Sequence, residues 1–434
     1  MRFMFLALML PLLSQAQVAN DSLLENGTLE NIIQYALKHQ PAVQKSILDE
    51  QITKSQVNTR LADWYPQIGY NYSLQRNFQL QTAAFQGQII QLGNRNTSLQ
   101  QFAYTQNILN PALVFAAVTA KDAKLASKQI TTINKVDVVT MVSKAFYDVL
   151  LTQQQIKVSD ENIARLERSV KDSKAQYNSG IVDKTDYQRA TILLNNAVAL
   201  KKSNEEGLKA KVGYLKTVMG YPAKSKLDVV YDSLAMENSV SYDVAQTVDF
   251  TNRPEYQLLQ TQKSLQVGNL KYSKFSFLPS VQGFAAYNMN YLNDDISQLY
   301  RTNYPQSYAG ITVALPLVAG GKRWMNIRQA KWQLKKADWD LTNSENNINA
   351  EYAGALAAYN SNLANYTALR ENKQLAQEVY DVIQLQYRNG VKTYLELLIA
   401  ESDLRTSQIN YYNALYQVLS SKVDLQKALG QIKF

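Results

Sequence analysis

Side chains able to do covalent or metal chemistry are almost missing from this sequence of 434 residues, which has no cysteine and a single histidine, His39. Disulfide scaffolds, thiolate zinc sites, iron-sulfur ligation and cysteine nucleophiles are thereby excluded. An imidazole with no second ligand or nucleophile pattern beside it supports neither metal binding nor base catalysis, and His39 reads as an exposed residue at a helix end. The segment Gly320-Gly321-Lys322 hints at a phosphate loop, but Pro316 stands where the first glycine belongs and Arg323 follows the lysine instead of Ser or Thr. Nucleotide binding is rejected with it. What remains is fixed charge. Asp186 and Glu396 each fall early in a predicted helix, where a carboxylate complements the partial positive charge of the N-terminus. Lys and Arg number 45 against 36 Asp and Glu, a net +9, with no run of five basic residues, so no nucleic-acid stripe is expected. The chemistry on offer is electrostatic: no cofactor, no resident metal and no catalytic constellation.

The N-terminus has the build of an export signal. Arg2 precedes an apolar run from Phe3 to Leu13, followed by Ser14-Gln15-Ala16, which predicts cleavage after Ala16 and a signal peptide over residues 1–16. No later stretch of eighteen residues is uninterruptedly apolar, which excludes an inner-membrane helix protein.

The rest of the chain is written twice. Pro41 and Pro66 recur 213 positions later as Pro254 and Pro279. Further on, Gln176-Tyr177-Asn178-Ser179-Gly180-Ile181 echoes Gln386-Tyr387-Arg388-Asn389-Gly390-Val391 at an offset of 210, and Asp186, Ala190, Leu215 and Gly220 fall over Glu396, Ala400, Leu425 and Gly430. The first repeat is placed at 17–220, a short link at 221–242, and the second repeat at 243–434.

Within each repeat the hydrophobic period changes. A helical pattern runs to Pro66, after which Ile68, Tyr70, Tyr72 and Leu74 alternate with Gln67, Gly69, Asn71, Ser73 and Gln75. That is a strand with one apolar and one polar face. A loop rich in Gln, Asn and Gly, Gln81 to Asn96, leads to a returning run around Phe102 and Tyr104, giving a hairpin at about 66–107. In the second repeat the alternation from Val281 to Tyr291 and the run around Ile311, Val313 and Leu315 give a hairpin at about 279–316. Helix follows without an internal proline over 111–178 and 322–388, spans that at 1.5 Å per residue reach about 100 Å each. Each turns at Gly180 or Gly390 and returns, over about 185–219 and 395–429, to stop near Gly220 or Gly430. In the last helix, Leu395, Leu398, Ser402, Arg405, Ile409, Tyr412, Tyr416, Leu419, Val423 and Gln426 are spaced as a coiled-coil seam.

Two-faced strands cannot stand alone in lipid, because unpaired edge groups find no water there. They must close by association: four per chain give eight in a dimer or twelve in a trimer, and strands near ten residues suit an outer-membrane barrel. A soluble sheet packed on helices is the alternative, and fits the export signal and the extreme helices poorly; a non-conducting envelope spacer with a plugged lumen is another, and the polar strand faces and the absence of bulky plugging insertions count against it.

Read in order, Thr28-Leu29-Glu30 through Ala36-Leu37-Lys38-His39-Gln40-Pro41, Asn252-Arg253-Pro254-Glu255, Leu278-Pro279-Ser280, Leu315-Pro316-Leu317 with Gly320-Gly321-Lys322-Arg323, and the two Tyr-x-x-Gly turns resemble the TolC-type outer-membrane efflux proteins. The resemblance covers nearly all of the mature chain. It implies a mainly α fold with a membrane β-barrel: a homotrimer whose twelve-stranded barrel in the outer membrane continues as a twelve-helix periplasmic α-barrel. It further implies a passive duct served by a periplasmic adaptor protein and an inner-membrane pump, with small-molecule efflux ranked ahead of metal efflux or type I protein secretion. The helix-turn-helix tips would form the closing aperture and contact the adaptor through Tyr177, Gly180, Ile181, Gly390 and Val391. Matching Tyr387-x-x-Gly390 to the second-repeat tip puts Lys392 at a basic latch position, Glu396 at an aperture acid and Asp186 at the acid such a latch contacts. Three Glu396 carboxylates around one axis would raise one another's pKa and attract cations. Where the type member has a second acid one turn on, this chain has Ile399, implying one acid ring narrowed by an apolar collar. The short link and the chain end soon after Gly430 leave room for only a small equatorial domain.

Overall fold

The computed structural model describes residue 24 and residues 26–85, 87–181, 183–230, 233–242 and 248–434; the export signal lies outside them. The order is α1 (Leu29–His39), α2 (Pro41–Ala62), β1 (Gln67–Arg76), β2 (Gln81–Phe85), β3 (Gln88–Leu92), β4 (Asn96–Leu109), α3 (Pro111–Asn178) and α4 (Lys184–Met219). A short α5 (Ser233–Asn238) precedes α6 (Pro254–Phe275), β5 (Ser280–Asn293), β6 (Tyr304–Ala314), α7 (Lys322–Arg388) and α8 (Tyr394–Ala428). The duplication is visible in the lengths: α2 and α6 have 22 residues each, α3 and α7 have 68 and 67, and α4 and α8 have 36 and 35. No described helix is long and apolar enough to cross a membrane.

Local chemistry fixes the helix starts. Pro41, Pro111 and Pro254 stand in first turns, where no amide hydrogen is lost, and the Gln40 and Asn110 side chains accept from the amides of Ala42 and Ala112. The helix-bearing layers meet in one large core at mid-height, built from Ile32 and Ala36 of α1, Val43 of α2, Val142, Phe146 and Leu150 of α3, Leu215 and Met219 of α4, Tyr359 of α7 and Tyr411 to Leu425 of α8. The link after α4 packs Tyr221, Leu227 and Val240 onto this core, and the Tyr359 hydroxyl donates to the Val240 carbonyl at 2.9 Å.

Both returning helices end on a glycine pressed against the start of a shorter helix. Gly220 (φ 69°) and Gly430 (φ 69°) would place a Cβ 2.6 Å from the His39 carbonyl oxygen and 2.7 Å from that of Asn252. Beside Gly430, the buried Arg253 side chain donates from Nη1 to the Ala428 carbonyl at 3.0 Å and pairs through Nη2 with Glu351 at 2.9 Å and through Nε with Glu255 at 3.2 Å. One guanidinium thus ties the start of α6 to α7 and to the end of α8.

The strands form one antiparallel sheet in the order β1-β4-β5-β6, so β1 and β6 are free edges. The register stacks Tyr70, Phe102, Tyr287 and Ser307 across one face, and Asn71, Gln101, Asn288 and Gln306 across the other. On the first face Ile68 is 78% exposed and Ile311 67%. On the second, the Asn71 amide donates to Gln101 at 3.3 Å.

Two expectations are corrected. The stretch Gln81–Asn96 is not only loop: β2 and β3 pair into a separate two-stranded ribbon, with Ala83 opposite Ile90 and Gly87 at φ 81°. Its Gln content hid the alternation. In α8 the buried stripe runs through Leu397, Glu401, Leu404, Gln408, Tyr411, Leu415 and Val418; of the expected seam Leu398, Leu419 and Val423 are buried, whereas Leu395 is exposed. Two polar residues sit in the buried stripe, and hydrophobic spacing alone caught it only in part.

Replacing Gly430 by Ala is expected to lower the thermal midpoint well beyond Gly390→Ala. Both glycines sit at positive φ, costing a side chain about 1–2 kcal/mol, but a Cβ at Gly390 meets nothing within 4 Å. Equal midpoints for the two variants would show that the Gly430 contact is slack.

Candidate functional site at the helical tips

The two tip turns are built alike. α3 closes with the Gly180 amide donating to Tyr177 O at 2.9 Å and Ile181 N to Gln176 O at 2.9 Å; α7 closes with Gly390 N to Tyr387 O at 3.0 Å and Val391 N to Gln386 O at 2.9 Å. These bonds satisfy the last carbonyls of each helix and need the left-handed glycines, Gly180 at φ 72° and Gly390 at φ 70°. No atom lies within 4 Å of a Cβ built at either, so the turns stand clear, with Ile181 72% and Val391 71% exposed.

The returning helices start differently. Asp183 caps α4, accepting from the Lys184 amide at 2.8 Å, and Asp186 lies in its first turn. α8 opens on a full capping box: Thr393 Oγ1 accepts from the Glu396 amide at 3.3 Å while Glu396 Oε2 accepts from the Thr393 amide at 2.9 Å. Glu396 Oε1 also accepts from Lys392 Nζ at 2.6 Å. The Lys392 bond, then the Thr393 amide and hydroxyl, hold the Glu396 carboxyl down at about 2. Within one chain it is therefore an ionised, paired acid; the raised pKa expected of a three-carboxylate ring belongs to the assembly, not to the protomer.

Of the residues singled out by sequence, the structure brings Lys392 and Glu396 together in one turn, and Tyr387 with Gln176 of the other hairpin, whose Nε2 donates to its hydroxyl at 3.4 Å. Lys392 and Asp186 are not joined: among the described residues no ion pair includes Asp186. The four-residue spacing on the edge of α8 gives Lys392 to Glu396 first. Ile399 is half exposed, as is Tyr177. His39 lies far from the tips, at the end of α1, stacked on Tyr35 with ring centroids 4.0 Å apart. No group of three His, Cys, Asp or Glu among the described residues could hold a metal ion.

Sequence reasoning missed the pieces that join the hairpins. Tyr394 is 7% exposed, with its hydroxyl 2.7 Å from Ser169 Oγ of α3, and burial pushes it up to about 12. It packs with Leu398 against Ala190 of α4. Behind it, Glu401 and Arg165 share a small cavity. The Thr-x-x-Glu spacing of Thr393 and Glu396 was a readable signal; the buried polar pairs carry none.

A sheet with one lipid-compatible face, open at both edges and carried on doubled helical hairpins of about 100 Å, is one sector of a hollow membrane tube. The sequence model described as Outer membrane efflux protein matches residues 32–220 and 255–431, and the chain belongs to that family. It is 20% identical over 439 residues to Outer membrane protein TolC of Salmonella enteritidis, covering 98% of this chain and 86% of that protein. With the probable efflux pump outer membrane protein TtgC of Pseudomonas putida it shares 22% identity over 437 residues, 97% of this chain and 88% of that one. Among solved structures, CusC superposes with a TM-score of 0.75 at 16% identity over 92% of this chain and 91% of its own. VceC of Vibrio cholerae does so with 0.74 at 15%, over 93% and 96%. These likenesses establish the fold. The protein is an outer-membrane efflux channel that extends into the periplasm.

The capping-box carboxylate makes a signed pH prediction. A folded pKa below the ordinary 4.5 stabilises the start of α8 above that value and ceases to do so as pH falls toward 2. Amide exchange at Thr393, the donor to Glu396 Oε2, corrected for intrinsic rates, should accelerate between pH 4.5 and 2 in the native protein, and be fast throughout in Glu396→Ala, which has no side-chain acceptor. Unchanged protection in that variant would dismiss the capping role.

Proposed function

We propose that three copies of this chain close one passive exit duct, engaged at its tips by a periplasmic adaptor and fed by an inner-membrane pump. The observation that carries the reading is the sheet open at both β1 and β6. In lipid those edge groups need partners, and only another copy presents a matching edge. Two copies give eight strands, an interior that side chains fill; three give twelve and leave a lumen, faced by Asn71, Gln101, Asn288 and Gln306.

The helices agree with this closure. α2 leads into β1 and α7 leaves β6, so pairing β6 of one copy with β1 of the next lays α7 along the next α2. The outer face of α7 carries exposed Trp324, Trp332 and Trp339, and that of α2 exposed Leu48 and Ile52, apolar surfaces that the described residues leave largely uncovered, with Trp324 meeting the Phe277 ring edge to face. The duct performs no catalysis: substrate choice and energy lie with the pump, and a chain with 1 His and 8 Met has no metal-rich tract, which ranks small molecules first among the cargoes.

At the tips, exposed Ile181 and Val391 with Tyr177 beside them supply the apolar contacts for the adaptor, on turns held by Gly180 and Gly390. The aperture is lined by Glu396 and Ile399 with Tyr387 behind them. Lys392, seated on Glu396, is the cation that assembly offers to Asp186.

The test is planar-bilayer conductance of detergent-extracted protein, with its mass measured in the same preparation. A trimer is expected that passes small cation-preferring currents, which Lys392→Glu enlarges. A trimer silent in both forms would favour a structural role, and a water-soluble monomer would overturn the membrane assignment. Ile181→Asp with Val391→Asp should weaken adaptor capture by about tenfold or more while leaving trimer mass and conductance unchanged; undiminished capture would move the docking surface off the turns.

A further inference from the structure

The seam between the two tip hairpins contains a charge that the duct itself does not explain. Glu401, on α8, is 5% exposed, and its Oε2 is sealed from solvent without a hydrogen-bond partner. Facing it from α3 is Arg165, whose Nε and Nη2 are likewise sealed and unpartnered, and whose guanidinium lies 5.6 Å from the centre of the Tyr380 ring of α7. The two share a cavity of about 100 Å³ with the hydroxyl-bearing pair Ser169 and Tyr394. A carboxylate and a guanidinium enclosed together yet not in hydrogen-bonded contact form a half-satisfied network, which is stable only if one member is neutral or if the seam opens.

We propose that Glu401 is a proton-binding switch between the tip hairpins: the packing seen here holds its carboxyl protonated, and ionisation favours an arrangement in which α8 withdraws from α3 and the carboxylate is hydrated. The proposal rests on the duct opening at its tips and assigns that opening a regulator. Burial lifts the Glu401 carboxyl to about 6, a rise that the nearby Arg165 charge partly offsets. The sign follows. The packed state binds the proton more tightly than an open state with the ordinary value of 4.5, so packing is favoured below that value and loses its advantage as pH rises through about 6.

The surrounding groups leave this window to Glu401. From α3 it is faced by Arg165, Arg168 and Asp172, and from α7 by Tyr380, Tyr387 and Arg388; Tyr394 stands on its own helix, and Asp186 of α4 acts on that tyrosine. Arginines stay charged throughout. Tyr394, pushed up to about 12, stays neutral, and Glu396, held at about 2 within the protomer, is set apart by Glu396→Gln, which should leave a response due to Glu401 in place. His39 is the single histidine and lies at the end of α1, so its replacement serves as a control.

Two readouts on the detergent-extracted assembly test the switch. In planar bilayers, open probability should rise from pH 4 to pH 8, most steeply between 4.5 and about 6, by at most roughly 30-fold for each Glu401 that ionises, the factor set by a shift from 4.5 to about 6. Glu401→Gln should abolish the rise and keep the channel in its low-pH behaviour. Arg165→Gln, which removes the offsetting charge, should extend the rise to higher pH, and His39→Gln should change nothing. Independently of conduction, the infrared protonated-carboxyl band of the native protein minus that of Glu401→Gln should leave a component that is present at pH 5 and fades with a midpoint near 6. A band that Glu401→Gln leaves unchanged overturns the switch whether or not the protein conducts, as does a pH response that survives Glu401→Gln. A silent channel with the band as expected faults the duct reading and leaves the proton site standing.

Discussion

Backbone amides and carbonyls on the free edges of β1 and β6 have no strand partner among the described residues, and a bilayer offers none. This constraint governs the rest of the molecule. A sheet that must be completed by copies of itself fixes the direction in which each copy's helices continue, because α2, α3, α6 and α7 are each joined to a strand in the order β1, β4, β5 and β6. The helical layer inherits the lateral order of the sheet, and its flanks, α2 and α7, carry exposed Leu48 and Ile52 on one side and exposed Trp324, Trp332 and Trp339 on the other.

Duplication solves a second problem, that of holding helices of 68 and 67 residues in register over their length. Each repeat stops its returning helix on a glycine wedged against the junction that starts α2 or α6, at Gly220 and at Gly430. The two wedges are equivalent in backbone, but only the second is reinforced by a buried guanidinium, Arg253, which reaches α7 and α8 at once. Satisfying all three nitrogens of one arginine is what makes its burial tolerable.

The fold was legible because its signals are local and repeated. Prolines at Pro41, Pro111 and Pro254, glycines at Gly180 and Gly390, and the two-residue alternation after Pro66 each act within a few residues of chain. The β2–β3 ribbon escaped because Gln on both strands blurs the alternation. Part of the α8 seam escaped for the same reason in helical form: Glu401 and Gln408 interrupt the stripe that is buried, while the half-buried Tyr412 and Tyr416 drew the expected seam aside. At the tips, residue types and turns were legible, but partners were not. Lys392 pairs within its own turn, and nothing in composition tells that Ser169 meets Tyr394 across 225 positions.

The distribution of apolar contact along the tube completes the picture. At mid-height one continuous core joins α1, α2, α3, α4, α7 and α8, whereas toward the tips the buried apolar side chains fall into two small groups, one around Tyr380 and Leu404 and one around Tyr394 and Ala190. Local opening free energy follows buried apolar contact, so separation of the hairpins is least costly at the end where the polar seam residues lie. A buried carboxyl at mid-height would oppose a large core; Glu401 stands at the end where the opposing apolar groups are small.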